Sequence, residues 1–346
     1  MPDRPLSAAD IAAHLDSRVK PPGSLGRLES LAARVCAIQN TLAPRTSPRA
    51  ALLFVADHGS TAAGVSAWPS SVTGHVVDML LEGQTAAAVM ARQTGTALRV
   101  IDVGLLEAPR SSPADDIELT LARVRPGTRN LAEEPALTPT EFTSAWSIGR
   151  EAALRAIAEG ARLIIPGELG IGNTTSAACL TRMLLGCPAD AVLGPGAGAD
   201  AAVLARKQAV ISGSSRYDGL FRTDLTEGLS AVCGLEIAAM AGCFAAAGES
   251  DVVALVDGAI AGSAALVAET LSPGTRSVLI AAHRSPEPAH SLQLDALGLE
   301  PHLDGWNLRL GEGTGALALL PLVDLAAALV TEMGSLDRLR ERLAAT

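Results

Sequence analysis

Six short apolar runs recur along this 346-residue chain, and each ends in a glycine-rich or polar loop. The runs are 51–56 before Asp57-His58-Gly59, 98–101 before Asp102-Val103-Gly104, 163–165 before Pro166-Gly167-Glu168, 191–193 before Gly194-Pro195-Gly196, 252–256 before Asp257-Gly258, and 277–282 before His283-Arg284-Ser285. Alanine-rich stretches of helical length separate most of them, at 76–93, 144–159, 199–213, 229–247 and 258–271. Strands alternating with such helices build βαβ units and a parallel sheet. In such sheets ligands bind beyond the carboxyl ends of the strands. The pattern predicts an α/β fold, a parallel sheet of about six strands flanked by helices, with all the motif loops at one rim.

Composition narrows the interior and the partners. Nearly half the residues are apolar but only 2% are aromatic, so Ala, Val, Leu and Ile must fill the core. A net charge of −10 and no long basic stripe exclude a nucleic-acid backbone as partner. An anionic ligand must then be held by local amides and a few basic side chains. The five cysteines form no CxxC pair and have apolar neighbours, which predicts buried free thiols and a reducing, cytoplasmic compartment. The start, Met1-Pro2-Asp3-Arg4-Pro5, lacks the apolar stretch of a leader, and no 18 apolar residues run uninterrupted, so no membrane span is expected. Helical patterns at both ends are broken at Lys20-Pro21-Pro22-Gly23 and at Gly334-Ser335. They predict a small helical subdomain from 1–40 and 316–346, beside a large α/β catalytic domain over 41–315. The stretch 106–142, rich in Pro, Thr and acidic residues, reads as an irregular surface excursion.

The chemistry concentrates in three loops. In Leu310-Gly311-Glu312-Gly313-Thr314-Gly315 a lone glutamate stands between glycines, just before an apolar helical run. A phosphate cradle would not place a carboxylate among its amides, whereas a general base needs one. The following helix N-terminus is expected to favour the ionised form of Glu312. Glu168 precedes Gly170-Ile171-Gly172-Asn173-Thr174-Thr175, an anion-binding helix start, and is a second candidate acid or base. Gly194 and Gly196 lie in Gly194-Pro195-Gly196-Ala197-Gly198-Ala199, which formally matches a dinucleotide fingerprint. That pattern also fits 311–316, outside the first βαβ unit, so a phosphate-facing amide loop or a plain tight turn are the readings left at 194–198. Lys207, in the next helix, could reach a phosphate as a point charge. Asp57-His58 and His283 lack the close spacing of metal ligands, so neither metal nor cofactor is expected.

Taken together these stretches resemble one family. Lys20-Pro-Pro-Gly-Ser-Leu-Gly-Arg-Leu-Glu29, then Ala56-Asp-His-Gly59 with Gly64-Val65, Pro69 and Val72-Thr73, then 167–175, Asp257-Gly258, His283, Ser285 and 309–315 follow in family order. The family is nicotinate-nucleotide–dimethylbenzimidazole phosphoribosyltransferase, of cobalamin lower-ligand assembly. The resemblance runs from Lys20 to Met333. It implies a Rossmann-like large domain, a homodimer and no metal. It also implies transfer of phosphoribose from nicotinate mononucleotide to 5,6-dimethylbenzimidazole, with inversion at C1′ and Glu312 as base. Glu168, Gly170, Lys207, Asp257 and Ser285 fall where the family contacts the nucleotide. The base pocket falls at Trp68, His75, Val76 and Leu310. There the chain departs from the pattern: Trp68 stands where a small polar or tyrosine side chain is expected, and Gly74-His75-Val76 lies near the expected glutamine.

Two other classes make distinct expectations. A nicotinamide-dependent oxidoreductase needs a ribose-binding acid about 20 residues past a glycine loop, and Asp218 is the nearby candidate. A non-catalytic nucleotide-binding protein would bind without turnover and tolerate loss of Glu312.

Overall fold

The computed structural model describes residues 5–345. Met1 to Arg4, on which the expected absence of a leader rests, lie outside the described residues, as does Thr346. One sheet of six strands organises the chain: β1 (Arg49–Ala56), β2 (Ala97–Gly104), β3 (Ile117–Leu121), β4 (Leu163–Leu169), β5 (Val253–Val256) and β6 (Leu279–Ala281). Every pairing is parallel, in the order β3-β2-β1-β4-β5-β6. From Ala50 to Ala56 β1 is wholly buried, as an apolar strand covered by helices on both faces must be. The order runs outward from β1 to β3 and then restarts at β4 on the other side of β1. The carboxyl ends of β1 and β4 therefore flank a topological switch point, the place where open α/β sheets bind ligands.

Two expectations about the strands fail. The run 191–193 is not a strand: Ala189–Ala191 is a single 3-10 turn and the glycine loop follows. The run is bounded by Pro188 and Pro195, which cannot donate to a ladder, and Val192 is buried in the core instead. The sixth strand is β3, inside the stretch read as irregular. Ile117 is buried, Glu118 to Thr120 are half-exposed and Leu121 is exposed, so this edge strand opens to solvent toward its carboxyl end. Its exposed Glu118 accepts a salt bridge from Arg99 of β2 at 3.2 Å. The expected helix at 76–93 is two, Val72–Leu81 and Ala86–Gln93, separated by a turn at Gly83 with φ 77°. The expected helix at 229–247 likewise divides into Leu225–Val232 and Leu235–Glu249.

The shortage of aromatics has a packing consequence. Helices Pro139–Ala158 and Leu235–Glu249 meet backbone to backbone through glycine. A Cβ on Gly149 would lie 1.7 Å from the Ala239 carbonyl oxygen, and one on Gly242 would lie 2.0 Å from that of Trp146. The terminal helices Ala8–Asp16 and Arg27–Ile38 pack with the C-terminal Thr314–Glu332, where the Arg18 guanidinium donates to the Met333 carbonyl at 2.9 Å. Among the described residues, Thr314–Glu332 is the one helix long and apolar enough to cross a membrane. It is instead a core helix: Leu317, Leu319, Leu320 and Val323 are fully buried, and its Asp324 is paired with Arg49 at 2.7 Å.

Gly242→Ala should cost about 1–3 kcal/mol or more, because the clash is with backbone and no rotamer relieves it. Thermal melts should show a clear fall in Tm, whereas an unchanged Tm would mean that the two helices are free to move apart.

Candidate active site

At the switch point lies a cavity of about 420 Å³. The loop from β4 into helix Asn173–Leu185 floors it. A Cβ on Gly170 would be 2.5 Å from the Ala56 carbonyl oxygen, so only glycine lets this loop close on the end of β1. Asp257 from the end of β5, His283 and Ser285 after β6, and Glu312 complete the wall. Trp68 and Leu310 form the mouth, 53% and 61% exposed. Val76 also lines the cavity, but His75 does not. In helix Val72–Leu81 residues 72, 73 and 76 share one face, which turns His75 into a separate cleft with Asp57 and Asp78.

Glu312 takes φ 57°, between Gly311 at 90° and Gly313 at 70°. Its N–H donates to the Glu168 carbonyl at 3.1 Å, which ties the turn to the end of β4. The N-terminal amides of helix Thr314–Glu332 do not serve it. Gly315 and Ala316 donate instead to Asp257 Oδ1, at 2.7 and 3.3 Å. The expectation that this helix holds Glu312 ionised is therefore wrong, and Asp257 is the capping carboxylate. Burial pushes the Glu312 carboxyl above the usual carboxylate range. The Thr85 hydroxyl and Ala87 amide, at the start of helix Ala86–Gln93, oppose that shift, and the Asp257 charge adds to it. Its Oε2 has no hydrogen-bond partner among the described residues. A buried carboxylate with a spare oxygen and a raised proton affinity is suited to accepting a proton.

Glu168 is buried beside it. Burial, then the charges of Glu236 and Asp257, raise its carboxyl well above the ordinary range; the Asn173 amide, bonded to its Oε2, pulls down, and Glu312 adds upward. Both carboxyls are thus raised by burial, and Glu168 has three neighbouring acids that add to its shift. His58 lies beneath the loop, not in the cavity: its Nε2 is 2.7 Å from Glu236 and its Nδ1 3.3 Å from Ser176 Oγ. His283 Nε2 is 3.3 Å from Asp257 Oδ1. Behind it, burial pushes His290 down to about 3, and its Nδ1 accepts the Ser285 N–H at 2.9 Å. The described residues contain no convergent set of three His, Cys, Asp or Glu side chains that would hold a metal. All five cysteines are unpaired.

At the other end of the cavity are Gly196 and Thr174. Lys207 is not on the wall. It is buried just behind, donating to the Gly194 carbonyl at 2.8 Å and to Thr174 Oγ1 at 3.0 Å. Burial lowers its proton affinity, and the Glu287 charge opposes that. Asp218 is bound to Arg182, with one contact at 3.1 Å, and is not on the cavity wall. Three contributors escaped sequence reasoning. Asn173 and Thr85 are visible there only as helix starts, and Glu287 only as a loop residue; what each faces is decided by the tertiary fold.

A Rossmann-like α/β enzyme with a carboxyl-lined cavity at its switch point is the class these features define. The phosphoribosyltransferase family model DBI_PRT matches residues 2–338, and the chain belongs to that family. It is 42% identical over 316 residues to nicotinate-nucleotide–dimethylbenzimidazole phosphoribosyltransferase of Pseudomonas putida, covering 91% of this chain and 89% of the relative. The Pseudomonas aeruginosa protein of that name is 42% identical over 320 residues, covering 92% and 90%. The crystal structure of CobT from Thermus thermophilus superposes with a TM-score of 0.89 at 41% identity, over 95% of this chain and 97% of that one.

Glu168→Gln tests the buried proton. A carboxyl whose folded value is raised contributes stability that is fully present below its unfolded value and lost as pH rises through the folded one. Glutamine does not titrate. The Tm of the variant relative to the parent should therefore climb as pH rises from the ordinary glutamate range upward. A difference that stays flat with pH would show that Glu168 is not held protonated.

Proposed function

We propose that this enzyme transfers the 5-phosphoribosyl group of nicotinate mononucleotide to 5,6-dimethylbenzimidazole, giving α-ribazole 5′-phosphate and nicotinate. The observation that carries the reading is Glu312, a buried carboxyl with a free oxygen and a raised proton affinity on a cavity wall. One nitrogen of the benzimidazole attacks C1′, the bond from C1′ to the pyridinium nitrogen breaks, and its electron pair stays on the now neutral pyridine nitrogen of the departing nicotinate. The proton on the second benzimidazole nitrogen passes to Glu312. Attack from the face opposite nicotinate turns the β-nucleotide into the α-product. Glu168, holding a proton, is suited to donate a hydrogen bond to the ribose or to nicotinate. The amide of Gly196, backed by Lys207, suits the phosphate, with Gly170, Gly194, Asp257 and Ser285 around the nucleotide. Trp68, Val76 and Leu310 offer an apolar slot for a flat base at the mouth. No step needs a cofactor. A homodimer rests on the family resemblance, and a cytoplasmic setting on the unpaired thiols.

Mixing the protein with nicotinate mononucleotide and a panel of benzimidazoles and purines, followed by mass spectrometry, tests the reading. A riboside phosphate and free nicotinate support it, and their absence removes it. Glu312→Gln should lower kcat by about 10²–10⁴-fold with nucleotide binding retained. The acid limb of kcat/KM in the parent should lie above the ordinary glutamate range, since protonating the base abolishes it. Near-normal turnover in the variant would mean that another group is the base, with Glu168 the next to test. Trp68→Ser should reduce the ratio of kcat/KM for dimethylbenzimidazole over adenine, because a purine's ring nitrogens lose water against an indole without gaining partners. An unmoved ratio would place base selection elsewhere.

A further inference from the structure

The anion end of the cavity already holds an anion. The Gly196 N–H donates to Oε1 of Glu287 at 2.8 Å, across 91 residues of sequence. A Cβ on Gly194 would meet the other oxygen of that carboxylate at 2.0 Å, so the group lies flat against the loop backbone. Lys207 stands behind the same two glycines, bonded to the Gly194 carbonyl at 2.8 Å, and a Cβ on Gly196 would lie 3.5 Å from its Nζ. Glu287 occupies the N-cap position of helix Pro288–Leu297, yet its side chain makes no capping bond there. Its own N–H donates to Ser285 Oγ at 3.3 Å. A carboxylate at a helix N-terminus gains from that helix's own amides. This one reaches across to a different loop.

A glycine amide with a lysine beside it is also what a phosphate uses. A carboxylate and a phosphate cannot share one N–H, and their like charges repel. We propose that Glu287 is a displaceable placeholder for the phosphate of the substrate: in the unliganded enzyme its carboxylate holds the Gly196 amide beside Lys207, and phosphate entry requires it to swing out. This builds on the phosphoribosyl reading above. The placeholder has two effects. It gives the buried lysine a counter-charge and holds the loop in shape while the site is empty, since an unpaired buried charge is costly. It also taxes every entering anion, because apparent affinity falls by the fraction of molecules in which the carboxylate is displaced. Weakly held anions are turned away, and a phosphate carried on a nucleoside that gains further contacts is admitted. Glu287 lines the cavity and is only partly buried, so its side chain has room to leave.

The test is inorganic phosphate binding by titration calorimetry to the parent, Glu287→Gln and Glu287→Asp. Glutamine keeps the length and an acceptor oxygen but removes the charge. Aspartate keeps the charge but is one methylene too short to reach Gly196. Phosphate should bind about 10–100-fold tighter to Glu287→Gln, which corresponds to a displaced state populated at about 1–10% in the parent. Glu287→Asp should fall between the two. The KM for nicotinate mononucleotide should fall in the same order. Unchanged or weaker phosphate binding in the folded variants overturns the proposal, because Glu287 would then support the loop or hold the ligand itself. If Glu287→Gln fails to fold, Glu287→Asp decides alone, by the same criterion. Phosphate binding requires no turnover, so a parent protein that binds phosphate but forms no riboside phosphate sinks the transferase reading and leaves this result to stand separately.

Discussion

The turn Gly311 to Gly313 lies directly on the end of β4. A Cβ on Gly167 would be 2.9 Å from the Gly313 nitrogen and 3.1 Å from the Glu312 carbonyl carbon, and one on Gly311 would be 2.5 Å from Glu168 Oε1. Glycine at 167, 311 and 313 is what allows two chain segments to approach at van der Waals contact of their backbones. Glu312 itself has no such freedom, and a left-handed conformation at a residue with a Cβ costs about 1–2 kcal/mol. Its surroundings impose that cost through the bond to the Glu168 carbonyl and through the helix that begins at Thr314. The result is that two carboxyls, far apart in sequence, share one buried wall.

Burial then sorts the carboxylates by what else they touch. Asp257 has two helix amides and His283. Glu236 has His58 at 2.7 Å, with both side chains fully buried. Glu168 has one amide, from Asn173, and the charges of three neighbouring acids against it. Glu312 has an unpartnered oxygen, as does Glu236. Where donors are few, desolvation wins and the proton affinity rises. The helix whose N-terminus was expected to serve Glu312 is already used by Asp257, and burial raises the proton affinity of Glu312. The amides of Gly315 and Ala316 are bonded to Asp257 and are not available to Glu312.

The sheet was legible because its strands are buried on both faces and so are continuously apolar, as in 51–56 and 163–165. The edge was not. Ile117-Glu-Leu-Thr-Leu121 is half polar because the edge of the sheet opens to solvent, and a proline-rich flank hid it, while 191–193 is apolar because Val192 is in the core and Leu193 packs against it. In the site, Glu312 and Glu168 stood out as carboxylates set in glycine. His75 faces away because one residue of helix rotation separates it from Val76, which no local pattern around Gly74 reveals. Lys207 from a helix and Glu287 from the loop after β6 both bond to the 194–198 loop, so their relation exists only in the folded chain.

The aromatic-poor core bears on the chemistry as well as on stability. Helix Leu235–Glu249 is held against Pro139–Ala158 at backbone contact through Gly149 and Gly242. Its first turn carries Glu236, and a Cβ on the preceding Gly234 would lie 2.6 Å from His58 and 2.7 Å from Glu236 Oε2. The position of that helix therefore determines the His58–Glu236 contact. His58 supports the loop at Gly170 and Gly172, where added Cβ atoms would come within 3.4 and 3.2 Å of its side chain. Glu236, in turn, contributes the largest neighbouring charge acting on Glu168. Large core side chains would allow the two helices to repack at several separations. Alanine and glycine in backbone contact permit one, and through it the distance from Glu236 to the cavity is set by packing well outside the site.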